Sequence, residues 1–252
     1  MSDRAGRVFA PALSVCALLL IWSVAALMTA DATVLPAPWA LIAPFRAQLA
    51  SGELLFHLGA TLWRVLWAFV LAMTLGGALG LAMGRSEALN RWLDPWLVIF
   101  LNLPALVLIV LCYIWIGLTE TAAIAAVTLN KIPSVATTIR EGARALSRDL
   151  DAMAMVYRMG WGARMRHVIL PQLMPYVTAA ARSGVAVIWK IVLVVEFLGR
   201  SSGIGFQIHL YFQLFDVTMV LVYALSFIAV MLAVEWAFLQ PWERRARRWR
   251  LA

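Results

Sequence analysis

This sequence is poor in charge. Only 13% of its 252 residues are Asp, Glu, Lys or Arg, whereas 63% are apolar, a balance that excludes an ordinary water-soluble domain. Cysteine is scarcer still. Cys16 and Cys112 each lie inside an apolar run with no partner evident, so neither a disulfide framework nor a thiolate metal site is indicated. The three histidines, His57, His167 and His209, are far apart, and no metal-ligand spacing or nucleophile–base–acid arrangement stands out. No G-x-x-x-x-G-K-[ST] occurs, so the chain is not expected to hydrolyse ATP. Gly203-Ile-Gly205 lacks the third glycine, the preceding strand and the following helix of a dinucleotide site. No convincing internal repeat is present, which counts against a secondary carrier built from two related halves and driven by an ion gradient. The net charge of +8 raises the question of nucleic acid. The basic residues, however, sit in short flanks between apolar blocks, a pattern that sets membrane orientation and argues against a nucleic-acid partner.

The apolar blocks set the expected fold class: all-α, a polytopic membrane protein with about six transmembrane helices in one domain, 1–252. The expected spans are residues 11–30, 58–84, 95–117, 121–139, 176–198 and 217–239, each near the ~20 residues that cross a bilayer core. The first follows Arg4 and Arg7 and precedes Ala30-Asp31-Ala32, which fits a cleavable leader as well as a retained helix. Its length favours the helix. Residues 33–57, punctuated by Pro36, Pro38 and Pro44, suit a short helix on the membrane interface. In the second span Arg64 is the sole charge, and Gly76, Gly80 and Gly84 recur every four residues, leaving a bare ridge that a neighbouring helix can approach closely. Residues 85–91 read as a short charged turn, and Asn102 with Pro104 interrupts the third span near one end. The fourth contains Asn130, Lys131 and Pro133; it either faces protein or water rather than lipid, or ends at Lys131.

One long polar interval, 140–175, carries Arg140, Arg144, Arg148, Arg158, Arg164 and Arg166 against Glu141, Asp149 and Asp151. Leu146, Leu150, Met153 and Tyr157 fall at helical spacing, which predicts two short helices with a turn near 160–162. Met153, Met155, Met159 and Met165 offer soft apolar contacts, suited to docking another protein or to covering the membrane mouth. Counted by side, fifteen Lys and Arg fall with the amino end, the 85–91 turn, this interval and the tail Trp242 to Arg250, while Arg46 and Arg200 fall opposite. Both termini and the interval are therefore expected in the cytoplasm, with the tail an anchor at the lipid surface. In the fifth span Arg182, Trp189 and Glu196 are spaced by sevens and share a stripe. Glu196 is expected near enough to one end to be hydrated. Lys190, near the middle, either attracts an anionic solute or pairs with a carboxylate on a helix.

Four segments carry a family likeness. E-F-L-G-R-S-S-G-I-G-F-Q-I (Glu196 to Ile208), H-V-I-L-P (His167 to Pro171), G-E-L-L-F-H-L-G-A-T-L-W-R-V (Gly52 to Val65) and L-D-P-W-L (Leu93 to Leu97) resemble the membrane-spanning permease subunit of bacterial ABC importers. The resemblance is to the nitrate, sulfonate and taurine branch and covers about residues 33–240. It implies a type I importer permease fold in the bacterial inner membrane and a path for a small anion such as an alkyl sulfonate, taurine or nitrate; a vitamin precursor or an aromatic compound is the alternative cargo. It also implies a homodimer or paired permease, two ATPase subunits that use ATP and Mg, a periplasmic or lipid-anchored substrate-binding protein, and no cofactor in this chain.

In that family the cytoplasmic loop carries E-A-A, a Gly, and a hydrophobic-Leu-Pro ending, and forms the helix that couples to the ATPase. Counting back from Leu170-Pro171 places E-A-A on Ala152, Met153 and Ala154 and the Gly on Arg158. This chain departs there, with Asp151 one place early and glycines at Gly160 and Gly162. Either the turn is shifted or the loop has diverged. The resemblance implies ATPase coupling by Asp151, Ala152, Met153, Ala154, Met155, Arg158, Gly160, Leu170 and Pro171. Together with the charges inside the spans, it makes Arg64, Lys190, Glu196, Gly199, Gly203 and Gly205 candidates for the substrate path or gate, the 199–205 glycines forming a flexible turn or a plain connector. No catalytic or metal-ligating residue is expected.

Overall fold

The computed structural model describes residues 2–29 and 31–239, with side chains for 13–29 and 31–237. Among them every regular element is helical. The tail at 242–250 and the side chains of Arg4 and Arg7, which enter the orientation count, lie outside the described residues.

Helix α1 (Ser2–Thr29) is tied to the following segment by the Trp22 indole, which donates to the Pro36 carbonyl at 3.1 Å. The Pro-rich stretch forms a 3-10 turn, Pro38–Leu41, and then α2 (Ile42–Ala50), which docks where the Tyr223 hydroxyl donates to Gln48 Oε1 at 2.8 Å. Gly52, at φ 81°, reverses the chain into α3 (Glu53–Arg85), a conformation glycine enters without steric cost. α3 is thus longer at its start than residues 58–84.

Ser86 caps the next helix by accepting from the Leu89 amide at 3.3 Å, so residues 87–91 are not a turn but the opening of α4 (Glu87–Asn102). Pro104 holds Leu103 extended, and the axis swings by 98° into α5 (Ala105–Ile116). The expected third span is therefore two helices at nearly a right angle. Helix α6 (Glu120–Arg144) begins at the cap Thr119 and runs through Pro133 without ending at Lys131.

The α6 extension, a short helix α7 (Arg148–Val156), a reversal and the turn α8 (Trp161–Arg164) together make up the interval 140–164. A wider π-helical turn, Met165–Ile169, leads from α8 into α9 (Leu170–Gly199). After a short turn come α10 (Ile204–Gln213) and α11 (Val217–Val234), which ends in a second π-helical turn, Glu235–Leu239.

Helices Glu53–Arg85, Glu120–Arg144 and Val217–Ala237 are long and apolar enough to cross a membrane, and the bent α4–α5 pair makes a fourth candidate. α9 is also long enough, at 30 residues, but carries Arg182, Lys190 and Glu196. The bundle is built on the glycine ridge of α3. A Cβ on Gly80 would lie 2.3 Å from the Ala136 carbonyl oxygen, and one on Gly84 would lie 2.4 Å from Ala143 Cβ, so only glycine lets α6 come this close. Ala68, Ala72, Ile109, Ala126, Val127, Ile188 and Val192 pack the core among α3, α5, α6 and α9. Leu54, Ile204, Tyr223 and Phe227 join α3, α10 and α11. Large apolar side chains such as Leu55, Phe56, Trp63 and Leu66 point outward while Arg64 and Glu196 point in, an arrangement suited to hydrocarbon surroundings rather than to water.

Candidate functional site

Two places concentrate chemistry, one at each end of the bundle. At the end where α6 begins and α9 finishes, Arg64 and Glu196 meet in the interior, 2% and 0% exposed. Arg64 reaches them from α3, and all five of its N–H groups are used. Nε and Nη2 donate to the two Glu120 oxygens at 2.8 and 2.6 Å; Nη1 donates to Glu196 Oε1 at 2.6 Å and to the Ser202 carbonyl at 2.7 Å; Nη2 also donates to the Ser202 hydroxyl at 2.8 Å. The second Glu196 oxygen accepts from the Thr61 hydroxyl and the Gly205 amide, both at 2.9 Å. Arg200 closes the set by donating to Glu120 Oε1 at 2.7 Å and to the Leu118 carbonyl. Two guanidinium cations thus face two carboxylates, which lets a buried cluster stay charged where a lone ion could not.

The turn between α9 and α10 is moulded on this cluster. A Cβ at Gly203 (φ 110°) would sit 2.3 Å from the Glu196 carboxyl, one at Gly205 would sit 2.2 Å from the Leu193 carbonyl oxygen, and Gly199 fits against Tyr113 and Leu118. The Ile204 amide donates to the Thr61 hydroxyl at 2.9 Å, and the Gly203 amide donates to His57 Nδ1 at 3.0 Å. An accepting Nδ1 makes His57 the neutral tautomer with its proton on Nε2, which lies 3.3 Å from a Glu53 carboxylate oxygen.

Of the six path candidates, Arg64, Glu196, Gly199, Gly203 and Gly205 therefore come together, and Lys190 lies elsewhere. Glu196 is not hydrated at the bundle end, because Gly203 and Gly205 seal it. Sequence reasoning missed Thr61, His57, Glu120 and Ser202. A signal existed: His57, Thr61 and Arg64 stand at i, i+4 and i+7, one polar stripe in an apolar helix.

Lys190 lines a cavity of about 210 Å³ between α9 and α11, with Arg182, Val185, Trp189, Met231 and Glu235. Its ammonium lies 5.5 Å from the Trp189 ring centroid. Among the described residues no group of three or more His, Cys, Asp or Glu could hold a metal.

At the other end, α7 carries Asp151, Ala152, Met153, Ala154 and Met155. Ser147 caps it, accepting from the Leu150 amide, while the Ser147 amide donates to Gln172 Oε1 at 2.9 Å. Asp151 is held between Arg85 at 2.8 Å and Arg164 at 3.1 Å, so α7 is tied both to the end of α3 and to the turn leading into α9. Ala154 is its buried residue. Met155, Tyr157 and Trp161 are 63%, 77% and 77% exposed, and Leu170 and Pro171 at the start of α9 are exposed as well.

The chain reverses at Arg158, not at 160–162. The Met159 amide donates to the Ala154 carbonyl and the Arg158 amide to the Met155 carbonyl, a Schellman closure with Arg158 at the left-handed position, φ 49°. Arginine thus stands at the left-handed position, on the residue where the count places glycine. Strain of about 1–2 kcal/mol attaches to a Cβ there, more than the roughly 0.5–1 kcal/mol of added chain entropy that glycine brings. Arg158→Gly is expected to raise the melting temperature slightly in a thermal-shift assay; a fall would mean that the arginine side chain makes a contact worth more than the strain.

Residues 72–240 match the family described as binding-protein-dependent transport system inner membrane component. A relative in Bacillus subtilis (strain 168), provisionally named aliphatic sulfonates transport permease protein SsuC, is 29% identical over 234 residues, 92% of this chain and 84% of the relative. A relative with the same provisional name in Escherichia coli (strain K12) is 34% identical over 173 residues, 69% of this chain and 66% of the relative. Among solved structures, an amino acid ABC transporter with histidines is similar at a TM-score of 0.63 and 20% identity, covering 80% of this chain and 98% of that one. The MetNI methionine ABC transporter in inward-facing conformations is similar at 0.57 and 18%, covering 74% and 93%. These two likenesses speak for the fold.

Proposed function

Because the chain belongs to the family of binding-protein-dependent transport system inner membrane components, we propose that it forms the translocation path of an ATP-driven importer for a small organic anion, foremost an aliphatic sulfonate. It is an ABC importer permease of the sulfonate branch and a multi-pass inner-membrane protein, not an enzyme; ATP hydrolysis in such systems belongs to a separate ATPase subunit. The observation that carries the mechanism is α7, a helix fixed by Asp151 to the end of α3 and to the turn leading into α9 while Met155, Tyr157 and Trp161 stand uncovered. Exposed aromatic and Met side chains on a rigid support are what a protein partner grips.

In the proposed assembly two permease copies sit on two ATPase subunits, with α7, both termini and the basic tail in the cytoplasm. ATP and Mg bind the ATPases, whose closure moves α7 and, through Asp151, α3 and α9. A periplasmic or lipid-anchored binding protein delivers the solute at the opposite end, where the Arg64–Glu196 cluster keeps the helix ends together. Lys190 is exposed on a helix otherwise suited to lipid, and a charge at that depth faces protein or a watery path. A second copy or the solute path itself therefore covers this face, and Lys190 attracts the anion there.

Reconstitution in liposomes with the ATPase and binding protein that co-purify with the chain tests this reading. ATP-dependent uptake of butanesulfonate is the expected result. Uptake by the chain alone, driven only by an ion gradient, would overturn it.

A further inference from the structure

One ion inside the bundle belongs to none of these ties. Lys131 is the twelfth residue of the 25-residue α6, about 16 Å from its start, and is 4% exposed. Among the described residues its ammonium makes one hydrogen bond, to Ser134 Oγ at 3.2 Å, and no ion pair. Its stem crosses Gly184 of α9, where a Cβ would lie 3.7 Å from Lys131 Cε and 3.6 Å from Phe69 Cε2. Three residues earlier, on the same side of α6, Thr128 is also buried, and its hydroxyl has no partner. Thr137 and Thr138 of the same helix donate to backbone carbonyls one turn back; Thr128 does not.

This bundle can neutralise a buried cation when stability alone is at stake, because it gives Arg64 two carboxylates. Among the described residues it gives Lys131 none. Two ammonium hydrogens and one hydroxyl hydrogen are left without acceptors at mid-depth, where each unmet donor is costly. An oxygen-rich anion with several acceptors on one centre would meet all three.

We propose that Lys131 and Thr128 form a binding site for the oxyanion head of the transported solute, a sulfonate or a group of like shape and charge. The proposal rests on the importer reading above and names the residues of the path that touch the cargo. In the conformation described, α9 lies over the Lys131 stem at Gly184, so the anion enters only when α9 moves off α6.

The permease–ATPase complex in nanodiscs, without binding protein, is titrated with butanesulfonate by calorimetry, and uptake by the full system is measured in parallel. Lys131→Met is expected to weaken binding about tenfold or more, Thr128→Val about threefold, and Lys131→Arg by no more than about threefold, with ATPase association unchanged. Should Lys131→Met fail to assemble, Thr128→Val decides, since it removes a hydroxyl that the fold leaves unbonded and so has no structural bond to lose. Wild-type binding by Thr128→Val would overturn the proposal. So would a wild-type complex that binds no butanesulfonate while the full system takes it up. A full system that takes up no sulfonate instead overturns the importer reading for that cargo.

Discussion

Replacing Arg64 with methionine is expected to leave little folded permease in the membrane. The substitution removes the guanidinium but leaves Glu196, wholly buried, with only the Thr61 hydroxyl and the Gly205 amide as partners. Stranding one member of a buried pair costs about 3–5 kcal/mol, a large part of the roughly 5–15 kcal/mol by which folded proteins are stable. Glu120 suffers less, because it is partly exposed and keeps Arg200. The same change also frees the Ser202 carbonyl and hydroxyl, so the α9–α10 turn loosens with the helices. Glu196→Gln added to Arg64→Met removes the stranded charge and is expected to restore about 1–3 kcal/mol. Fluorescence-detected size-exclusion chromatography of membranes from the wild type, the two single variants and the double variant reads this directly. If Arg64 served the solute rather than the fold, Arg64→Met would assemble at wild-type levels and lose only uptake.

The contrast between what the sequence discloses and what it hides follows contact range. Apolar blocks and the Gly76–Gly80–Gly84 ridge are local patterns; the ridge became the close approach that its spacing implies, and every apolar block but the third became a single helix. α7 closes at Arg158 with a standard hydrogen-bond pattern, but no glycine marks that position, and Gly160 and Gly162 point past it. The α4 start at Ser86 was legible in principle as a capping serine, but the charges that follow it outweighed the cap. The 98° bend at Pro104 was not legible, since a proline marks a break without fixing the angle after it. Least visible were the partners of Arg64, which lie 56, 132 and 138 residues along the chain. No local spacing encodes such a meeting; only the stripe of His57, Thr61 and Arg64 hinted that α3 turns a polar face inward.

Met155→Asp is expected to abolish most ATP-driven uptake while leaving the permease folded. Met155 contributes little to the fold, being largely exposed in the last turn of α7, and an aspartate near a helix C-terminus costs at most about 1 kcal/mol. The contacts that position α7 use other residues: Ala154, packed inward, Asp151 between Arg85 and Arg164, and the Ser147 amide on Gln172. The substitution therefore presents a misplaced charge on a helix that is still correctly aimed. Burying that carboxylate against an ATPase surface, next to Tyr157 and Trp161, forfeits a central apolar contact and desolvates an unpaired ion, a loss of about 2 kcal/mol or more. That is roughly a thirtyfold weakening of the grip, and a helix that the ATPase no longer holds cannot pass its closure on to α3 and α9. Met155→Leu, which keeps volume and polarity, is expected to behave as wild type. ATPase retention on the purified permease and butanesulfonate uptake in liposomes should fall together for Met155→Asp. Retention and uptake both at wild-type levels would mean that this face of α7 docks nothing and that force enters the bundle elsewhere.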